Sequence, residues 1–307
     1  MKTESRLEKV LRAGHFAVTA ECGPPKGSDV GLLKKKATYL LGYVDAVNVT
    51  DNQAAVVRMS SVAAASILKS MGHDPVLQMV TRDRNRIALQ SDLFGAYALG
   101  IRNVLCLTGD HQSFGNEKGA VGVFDLDSIQ LVRTVRDMRE EGRTISGAAI
   151  QAPPKMFIGA AENPFADPLG WRVMRLSKKV QAGADFIQTQ SIFNLGRFEQ
   201  FMKQANDIGL TEKVSILAGI TPIKGVGMAR YMATKVAGMD VPEELIKRVA
   251  GVPKERQGKE GIKIAVETIQ RVREIRGVAG VHLMAIEWEE TVPEILTDAG
   301  LNKRPAV

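Results

Sequence analysis

Four side chains of this sequence lie where short apolar runs end or are interrupted, and their types suit acid–base chemistry and ligand recognition. Glu21 follows an apolar run in AECGPP, Asp110 ends LTGD, Gln78 interrupts VLQMV, and Gln190 lies in IQTQ. A carboxylate among apolar neighbours is expected to be partly desolvated, which suits it to deliver a proton near neutral pH. A buried amide needs a partner, and a bound polar ligand can be one. We therefore expect these four residues to converge on one site.

Ordinary structural roles are the alternative at each of these positions. Glu21 could be neutralised by a Lys or Arg, and Asp110 could be a turn residue. The polar run NVTDNQ (48–53) has hydrogen-bonding groups that turn and cap chemistry would also explain. Gln188 and Gln190 lie two apart, on one face of a strand, so water or a ligand would have to satisfy both amides.

Other chemistries lack their sequence patterns. No CxxC pair, GxGxxG or GxxxxGK(S/T) motif occurs, so zinc, iron–sulfur, Rossmann and P-loop sites are not predicted. The histidines show no metal-ligand spacing, and we predict no metal site (His15, His73, His111 and His282). Amides and carboxylates suit a flat heterocycle such as a flavin or a pterin. Gly109 would let the backbone approach such a ring, and the small residues 159–161 would leave room for it.

Eight short β-rich runs alternate with segments of helical periodicity. The runs are 15–21, 43–50, 74–81, 101–108, 155–161, 184–193, 214–221 and 280–287. Apolar residues recur at i, i+3 and i+4 in 29–41, 57–71, 85–98, 125–141, 169–182, 195–208 and 226–237. TVPEILTDAG, after the eighth run, predicts a short final helix. Glycines follow six helical segments, as C-cap glycines do (Gly42, Gly72, Gly100, Gly142, Gly183 and Gly238).

Strict alternation of strand and helix predicts a parallel sheet, and eight units predict closure into an α/β fold of the (β/α)8 TIM-barrel type. An open doubly wound sheet with two extra strands is the alternative. The length suits one such domain over residues 1–307. Segment 239–279 predicts two extra helices between strands 7 and 8, and 111–124 is a glycine-rich loop after strand 4. In such barrels the C-terminal strand ends carry the chemistry.

Composition argues against several classes of protein. The net charge is +7, but Lys and Arg lie mostly on helical segments and only 5% of residues are aromatic, so we predict no nucleic-acid binding. No run approaches about 18 uninterrupted apolar residues, and the stretch MKTESRLEKVLRAGHF has no apolar core. We therefore predict neither a membrane span nor a signal peptide. Cys22 and Cys106 are most simply reduced thiols, which favours a cytoplasmic protein.

Several stretches, in order, resemble the methylenetetrahydrofolate reductases, a family of flavin-dependent barrels. AECGPP resembles the family's FEFFPP motif, LTGD resembles its RGD, and ADFIQTQSIF resembles its sixth strand, within a similarity that spans about residues 10 to 290. The resemblance places the family's catalytic glutamate on Glu21 and a flavin-contacting threonine on Thr50. It places a flavin- and folate-contacting aspartate on Asp110 and a pterin-contacting glutamine on Gln190.

Further cofactor contacts follow from the resemblance at less closely matched positions. KKVQAGAD places a basic flavin contact on Lys179. AENP puts Asn163 where relatives have a cofactor-contacting histidine, and Gln78 stands where many relatives have His. Thr108 replaces an arginine that contacts the cofactor phosphate, next to the shared Gly109. We expect all of these residues in a flavin site.

The resemblance implies a flavin cofactor, FAD by family, with FMN as the alternative because the phosphate and adenosine contacts are the least well matched. Arg172, for example, falls where relatives have an acid that meets the adenosine of FAD. The versions LTGD and GAAENP resemble the acetogen-type form, in which the reductase works with a zinc-containing partner and iron–sulfur carriers. We therefore expect an oligomer or a hetero-complex.

The activity that the resemblance implies is reduction of 5,10-methylenetetrahydrofolate to 5-methyltetrahydrofolate. Hydride would come from N5 of the reduced flavin, with Glu21 as proton donor and Asp110 and Gln190 holding the pterin. Electrons would come from NADH, NADPH or a redox partner subunit. Two alternatives share the barrel: a non-redox pterin-binding methyltransferase, and a non-catalytic subunit of a larger reductase complex.

Overall fold

The apolar runs of the sequence become the eight strands of a closed, all-parallel barrel. A computed structural model describes residues 1–236 and 238–307. The strands follow one another around the barrel in chain order, from β1 to β8, and β8 closes onto β1. They are β1 (Ala17–Cys22), β2 (Ala46–Val49), β3 (Pro75–Val80), β4 (Asn103–Leu107), β5 (Phe157–Glu162), β6 (Phe186–Ser191), β7 (Ser215–Ile220) and β8 (Val278–Leu283). The predicted TIM barrel is confirmed, and the open sheet is excluded.

The helices lie between the strands, as the periodicity predicts. They are α1 (Arg6–Arg12), α2 (Val30–Thr38), α3 (Ser61–Ser70), α4 (Arg86–Ala98), α5 (Ser128–Glu140), α6 (Arg172–Ala182), α7 (Leu195–Asp207), α8 (Val226–Lys235), α9 (Glu243–Ala250), α10 (Gln257–Glu274) and α11 (Val292–Asp298). The prediction of two extra helices between the last two strands is confirmed by α9 and α10. The last residue of the predicted helix 226–237 lies outside the described residues.

Local sequence explains where several helices begin and end. Asp127 caps α5, and its carboxylate and the Gln130 side chain form a reciprocal capping box. Asn85 caps α4 by accepting from two backbone N–H groups. The glycines predicted to end helices all have positive φ, which costs glycine little (Gly42, Gly72, Gly100, Gly142, Gly183 and Gly238).

Alternation along each strand divides the core into an outer and an inner part. Outward side chains such as Leu77 and Met79 pack against the surrounding helices in the main cluster. Inward side chains at the N-terminal end of the barrel form a separate apolar plug of Ala17, Ala46, Val76, Leu105, Phe157, Phe186 and Leu217, which α1 covers with Leu7 and Val10. Burying each large apolar side chain contributes about 1.5–3 kcal/mol. The plug closes this end, so a ligand can enter only from the other.

The Phe186 side chain fits inside the plug because its neighbour on β5 is a glycine, Gly159. The rings of Phe157 and Phe186 stack with centroids 5.2 Å apart. A Cβ on Gly159 would lie 2.3 Å from the Phe186 ring, so even alanine would displace the ring. The small residues predicted to leave room for a ligand thus begin with one that makes room for the core instead.

The chain after β7 builds an additional cluster beside the barrel. Residues of α8, α9 and α10 pack together there, with Ile223 and Phe193 (Ala229, Met232, Ile246, Val249 and Ile264). No helix in the described part of the chain combines the length and the apolar character that a membrane crossing requires.

Candidate functional site

A cavity of about 310 Å³ lies inside the C-terminal end of the barrel, above the apolar plug. Six strands and α6 contribute its walls. Its polar lining is Glu21, Gln78, Glu162, Asn163, Arg172, Arg175, Lys179, Gln188, Thr189, Gln190 and His282. A larger groove of about 700 Å³ lies on the outer wall, along α5 and the segment that follows it, away from the strand ends. We take the smaller cavity as the site because the strand-end side chains converge there.

Glu21, near the end of β1, has few protein partners. Its side chain is only 11% exposed, which is consistent with the expected partial desolvation. Gln78 Nε2 donates to Glu21 Oε1 over 3.3 Å, and His282 Nε2 lies 3.8 Å from the same oxygen. Among the described residues no Lys or Arg forms an ion pair with this carboxylate. The alternative of a neutralised structural carboxylate therefore loses support.

His282 connects Glu21 to the barrel interior. Its ring lies on β8, 3% exposed, and Nδ1 lies 2.8 Å from the hydroxyl of Thr19. Thr19 is on β1, two residues before Glu21 and therefore on the same face of the strand. Sequence analysis predicts no role for this histidine, because the histidines show no metal-ligand spacing. Its apolar strand context, GVHLM, was the signal available, because a buried imidazole needs a polar partner.

Gln188 forms hydrogen bonds with a second buried amide, so its side chain does not need a ligand as a partner. Gln188 Nε2 donates to Asn48 Oδ1 over 3.0 Å, and Asn48 Nδ2 donates to Gln188 Oε1 over 2.7 Å. Gln188 Nε2 also lies 3.1 Å from the Thr19 hydroxyl and 3.3 Å from His282 Nδ1. The two glutamines of β6 thus differ, since a protein group satisfies this one.

Gln190 lies where β6 loses regular pairing with β7. The register shifts between Gln188 and Ser191. Gly219 on β7 permits a close approach here, because a Cβ would lie 2.3 Å from the Thr189 carbonyl oxygen. Gln190 Oε1 accepts from the backbone N–H of Ser191, and its Nε2 has no protein partner in the described ranges. Its amide donor is therefore available to a ligand in the cavity.

The opposite wall of the cavity is basic. Lys179 Nζ forms a buried ion pair with Glu162 Oε2 at 2.6 Å and donates to the Ala161 carbonyl. Burial lowers the pKa of Lys179, and the nearby Glu162 carboxylate only partly offsets this. Arg172 and Arg175 extend from the first turns of α6 toward the same cavity. Glu162 is not predicted by the sequence analysis. It thus forms an ion pair with Lys179, the cation that is predicted to contact a flavin.

Asn163 lines the same wall, next to Glu162. Its side-chain Oδ1 accepts from the Phe165 backbone N–H, which shapes the turn after β5. A Cβ on Gly238 would lie 2.1 Å from the Asn163 amide nitrogen, so Gly238 packs directly on this turn.

Thr50 has a buried hydroxyl that lacks a partner. The residue is 1% exposed, and its Oγ1 makes no hydrogen bond within residues 1–236 and 238–307. A Cβ on Gly23 would lie 3.8 Å from that oxygen, so the missing side chain leaves the hydroxyl uncovered on this side. Buried polar atoms are nearly always satisfied, so this one is suited to a bound group.

Asp110 lies outside the cavity. It follows β4 beyond Leu107 and is exposed; no hydrogen bond in the described part of the chain involves its carboxylate. Arg82 Nη1 donates to the Asp110 carbonyl over 3.1 Å, so the backbone rather than the side chain is held. Of the four residues expected to converge, Glu21, Gln78 and Gln190 line one cavity, and Asp110 does not.

Thr108 and Gly109 have structural roles in the same turn. The Thr108 hydroxyl accepts from the Ser128 N–H at the start of α5 over 3.1 Å. Gly109 has φ +89°, and a Cβ would lie 3.1 Å from that of Val80, so this turn favours glycine independently of a ligand.

Two arginines that sequence analysis missed hold the loops at this end of the barrel. Arg82, 2% exposed, forms an ion pair with Asp83 and donates to the Asn52 carbonyl over 3.2 Å. Arg84 forms an ion pair with Asp51 at 2.6 Å. Asp51, in the polar run 48–53, is therefore a structural anchor and not a ligand group.

Neither cysteine is exposed to solvent. Burial raises the pKa of Cys22 to about 12, and burial also raises the pKa of Cys106. Both thiols stay protonated and unreactive near neutral pH. Among the described residues no group of three His, Cys, Asp or Glu side chains is arranged to hold a metal ion.

The sequence of the chain is similar to those of known proteins. A family model for methylenetetrahydrofolate reductase matches residues 6–300. The chain is 29% identical over 254 residues to the "Probable methylenetetrahydrofolate reductase (NADPH)" of Caenorhabditis elegans. The aligned region covers 80% of this chain and 35% of that protein. It is 28% identical over 314 residues to Methylenetetrahydrofolate reductase 2 of Schizosaccharomyces pombe, with 98% and 48% covered. The chain spans about a third to a half of the length of these curated relatives.

The barrel also resembles solved structures. A Clostridium thermocellum protein that binds two copies of 5-methyl-5,6,7,8-tetrahydrofolic acid has a TM-score of 0.59, at 12% identity, with 97% of this chain and 98% of that chain covered. At such low identity the likeness concerns the fold alone.

Proposed function

The chain belongs to the methylenetetrahydrofolate reductase family, and on that premise we propose that it is a flavin-dependent reductase that converts 5,10-methylenetetrahydrofolate to 5-methyltetrahydrofolate. The observation that carries the proposal is the environment of the Glu21 carboxylate, which is largely buried at the C-terminal end of the barrel. Its neighbours are an amide and an imidazole, and it forms no ion pair with Lys or Arg in the described part of the chain. Such a group can exchange a proton with a bound ligand.

A flavin fits the donor groups at this end of the barrel. The unsatisfied Thr50 hydroxyl and the amides of Gln78 and Asn163 can hydrogen-bond a heterocycle. The two arginines of α6 provide positive charge for a phosphate, next to Lys179, whose own charge is balanced by Glu162. We propose FAD, by family, with FMN as the alternative, and Thr108 and Gly109 as backbone neighbours of the cofactor.

The chain's own residues have distinct proposed roles in the reaction. Glu21 donates its proton to a ring nitrogen of the folate, which breaks the C–N bond of the five-membered ring and leaves an iminium at the methylene carbon. A bound, reduced flavin supplies the hydride that this carbon accepts. Gln78 orients the carboxylate through its hydrogen bond. The free amide N–H groups of Gln190 orient the pterin, and Asp110 accepts from pterin N–H groups at the rim.

The immediate electron donor has to approach the open end of the barrel. NADH, NADPH or a redox partner subunit would each have to reach a flavin at the open end, because the plug and α1 close the other. We propose that the donor leaves before folate binds at the same mouth.

The test is a single-turnover experiment without oxygen. The purified chain, reconstituted with FAD or FMN, is reduced photochemically and mixed with 5,10-methylenetetrahydrofolate. We expect the flavin absorbance to recover as one equivalent of 5-methyltetrahydrofolate forms, measured by mass spectrometry. A chain that binds folate but retains no flavin would instead support the methyltransferase alternative.

A further inference from the structure

The amide pair of Asn48 and Gln188 is costly to bury if it only fills space. Asn48 is fully buried and Gln188 is 3% exposed, between the apolar plug and the cavity. Each satisfied hydrogen bond adds only about 0.5–1.5 kcal/mol, and an apolar pair of similar volume would stabilise about as well. Stability alone therefore does not account for two amides at this level of the barrel.

From Gln188 through Thr19 to His282, each group donates a hydrogen bond to the next. Gln188 Nε2 donates to Asn48 Oδ1 over 3.0 Å, which leaves its second N–H facing Thr19 Oγ1 at 3.1 Å. With its oxygen accepting from Gln188, the Thr19 hydroxyl directs its proton to His282 Nδ1 at 2.8 Å. His282 Nδ1 is then an acceptor, and the ring proton is on Nε2, which faces Glu21 Oε1.

We propose that Asn48 and Gln188 are positioning residues that hold His282 in the Nε2–H tautomer and so direct an N–H toward the Glu21 carboxylate. Asn48 holds the Gln188 amide in orientation, since its Nδ2 donates to Gln188 Oε1 over 2.7 Å. Neither residue touches the reacting atoms; both act through Thr19 and His282.

Without Gln188, the donor and acceptor roles of Thr19 and His282 can be exchanged. The Thr19 hydroxyl lies 3.4 Å from the Val281 carbonyl, so it can donate there and accept from a protonated Nδ1 of His282. The ring would then present the lone pair of Nε2 to Glu21, and two electron-rich groups would face each other.

The first test reads the tautomer directly by long-range ¹H–¹⁵N NMR of the full chain with ¹⁵N-labelled histidine. Assignment is practical because the chain has four histidines, and His282→Asn identifies the resonance. We expect the Nε2–H form in the wild type and a growing Nδ1–H form in Gln188→Leu. The double variant Asn48→Ala/Gln188→Leu nearly conserves volume and leaves no amide unpaired, so it should recover stability but keep the altered tautomer.

A matched control removes another buried amide of the sheet. Asn103 is fully buried and donates to the Pro75 carbonyl over 3.1 Å, at the N-terminal end of the barrel. Asn103→Ala should lower the unfolding temperature but leave the His282 tautomer unchanged. An unchanged tautomer in both Gln188 variants would overturn the proposal.

The second test rests on the proposed function and measures folate turnover. We expect kcat to fall about tenfold or more in the double variant, with KM within about twofold, because binding groups are intact while the tautomer is wrong. Wild-type kcat in a double variant with altered tautomer would refute the positioning role. If the wild type itself fails to reduce folate, the proposed function fails, and the NMR result still decides whether the amide pair sets the tautomer.

Discussion

The buried carboxylates at the N-terminal end of the barrel differ in their partners from Glu21 at the C-terminal end. At the N-terminal end, Asp185 accepts from Arg139 at 2.5 Å, Lys2 at 2.6 Å and the Ile158 N–H at 2.9 Å. Asp45 there pairs with two arginines and the Val18 N–H, and Glu8 accepts from the backbone N–H groups of Lys2 and Thr3, the Thr3 hydroxyl and Arg12. At the C-terminal end, Glu21 has one amide donor at 3.3 Å.

We interpret this difference as one between carboxylates that stabilise the fold and a carboxylate that is available to a ligand. A carboxylate with several charged and backbone donors is held in one state, and removing a partner is costly. A carboxylate and a hydroxyl with spare capacity, as at Glu21 and Thr50, leave bonds for a ligand to complete. Substitutions at Asp185, Asp45 or Glu8 should therefore change unfolding, whereas those at Glu21 or Thr50 should change chemistry.

The largest expected effect is at Glu21. Glu21→Gln keeps the shape and the contact to Gln78 but removes the proton, so folate reduction should fall about 10²- to 10⁴-fold. Reduction of the flavin by its donor and the unfolding temperature should stay at wild-type values. Stopped-flow measurement of the two half-reactions separates these outcomes, and full folate turnover by the variant would eliminate the proton-donor role.

Asp185→Asn should be the largest effect at the opposite end. It removes the buried counter-charge of Arg139 and leaves only its pair with the exposed Glu140 carboxylate, which should cost about 3–5 kcal/mol of unfolding free energy in urea titrations. Asp207→Asn is the control, because Asp207 forms an exposed pair with Lys203 and should cost under about 1 kcal/mol. Equal losses in the two variants would contradict the stabilising role of the buried Asp185 carboxylate.

Asp110→Asn tests whether an exposed residue outside the cavity belongs to the site. Loss of the charge should weaken folate binding about tenfold and alter flavin reduction, because hydrogen bonds to charged groups contribute about 1.5–3 kcal/mol. Stability should not change, since the structure shows only the backbone of Asp110 held. Glu117→Gln, an exposed change in the loop that follows, is the control. Wild-type kinetics in both half-reactions would remove Asp110 from the site.

Thr50→Val should have a smaller effect. If the hydroxyl completes its hydrogen bond with the flavin, the flavin Kd should rise about threefold to tenfold, corresponding to about 0.5–1.5 kcal/mol. The apoprotein should be at least as stable as the wild type, because a buried unsatisfied oxygen is removed. Thr134→Val, at a buried threonine of α5 that lines the groove on the outer wall, should not change flavin affinity. An unchanged Kd for Thr50→Val would show that the hydroxyl does not meet the cofactor.

The smallest effect is a dependence of stability on pH from Glu8. Burial raises the pKa of Glu8, but its hydrogen bonds from Lys2, Thr3 and Arg12 together outweigh this and hold it below the ordinary value of 4.5. A lowered pKa in the folded state stabilises the fold above pH 4.5, and this contribution is lost as pH falls through the folded pKa. Urea titrations between pH 6 and about 3 should show a shallower loss for Glu8→Gln than for the wild type. Parallel curves would contradict the assignment.

The fold was largely readable from the sequence, and the site only in part. Period-2 runs, period-3.6 segments and C-terminal glycines are local patterns, so the number and order of elements followed from them. The position of Glu21, Gln78 and Gln190 on one cavity also followed, because alternation assigns each side chain to a face.

By itself, the sequence determined the barrel and the family resemblance, because these depend on local periods and ordered motifs, and it predicted the end at which the chemistry lies. Only the tertiary structure decided which polar groups satisfy each other. Asn48 and Gln188 are 140 positions apart, and Thr19 and His282 are 263 apart. Such pairs form only when closure of the barrel brings β1, β2, β6 and β8 around one interior. That closure satisfied Gln188 and Lys179 within the protein and left Glu21, Thr50 and Gln190 with bonding capacity for a ligand.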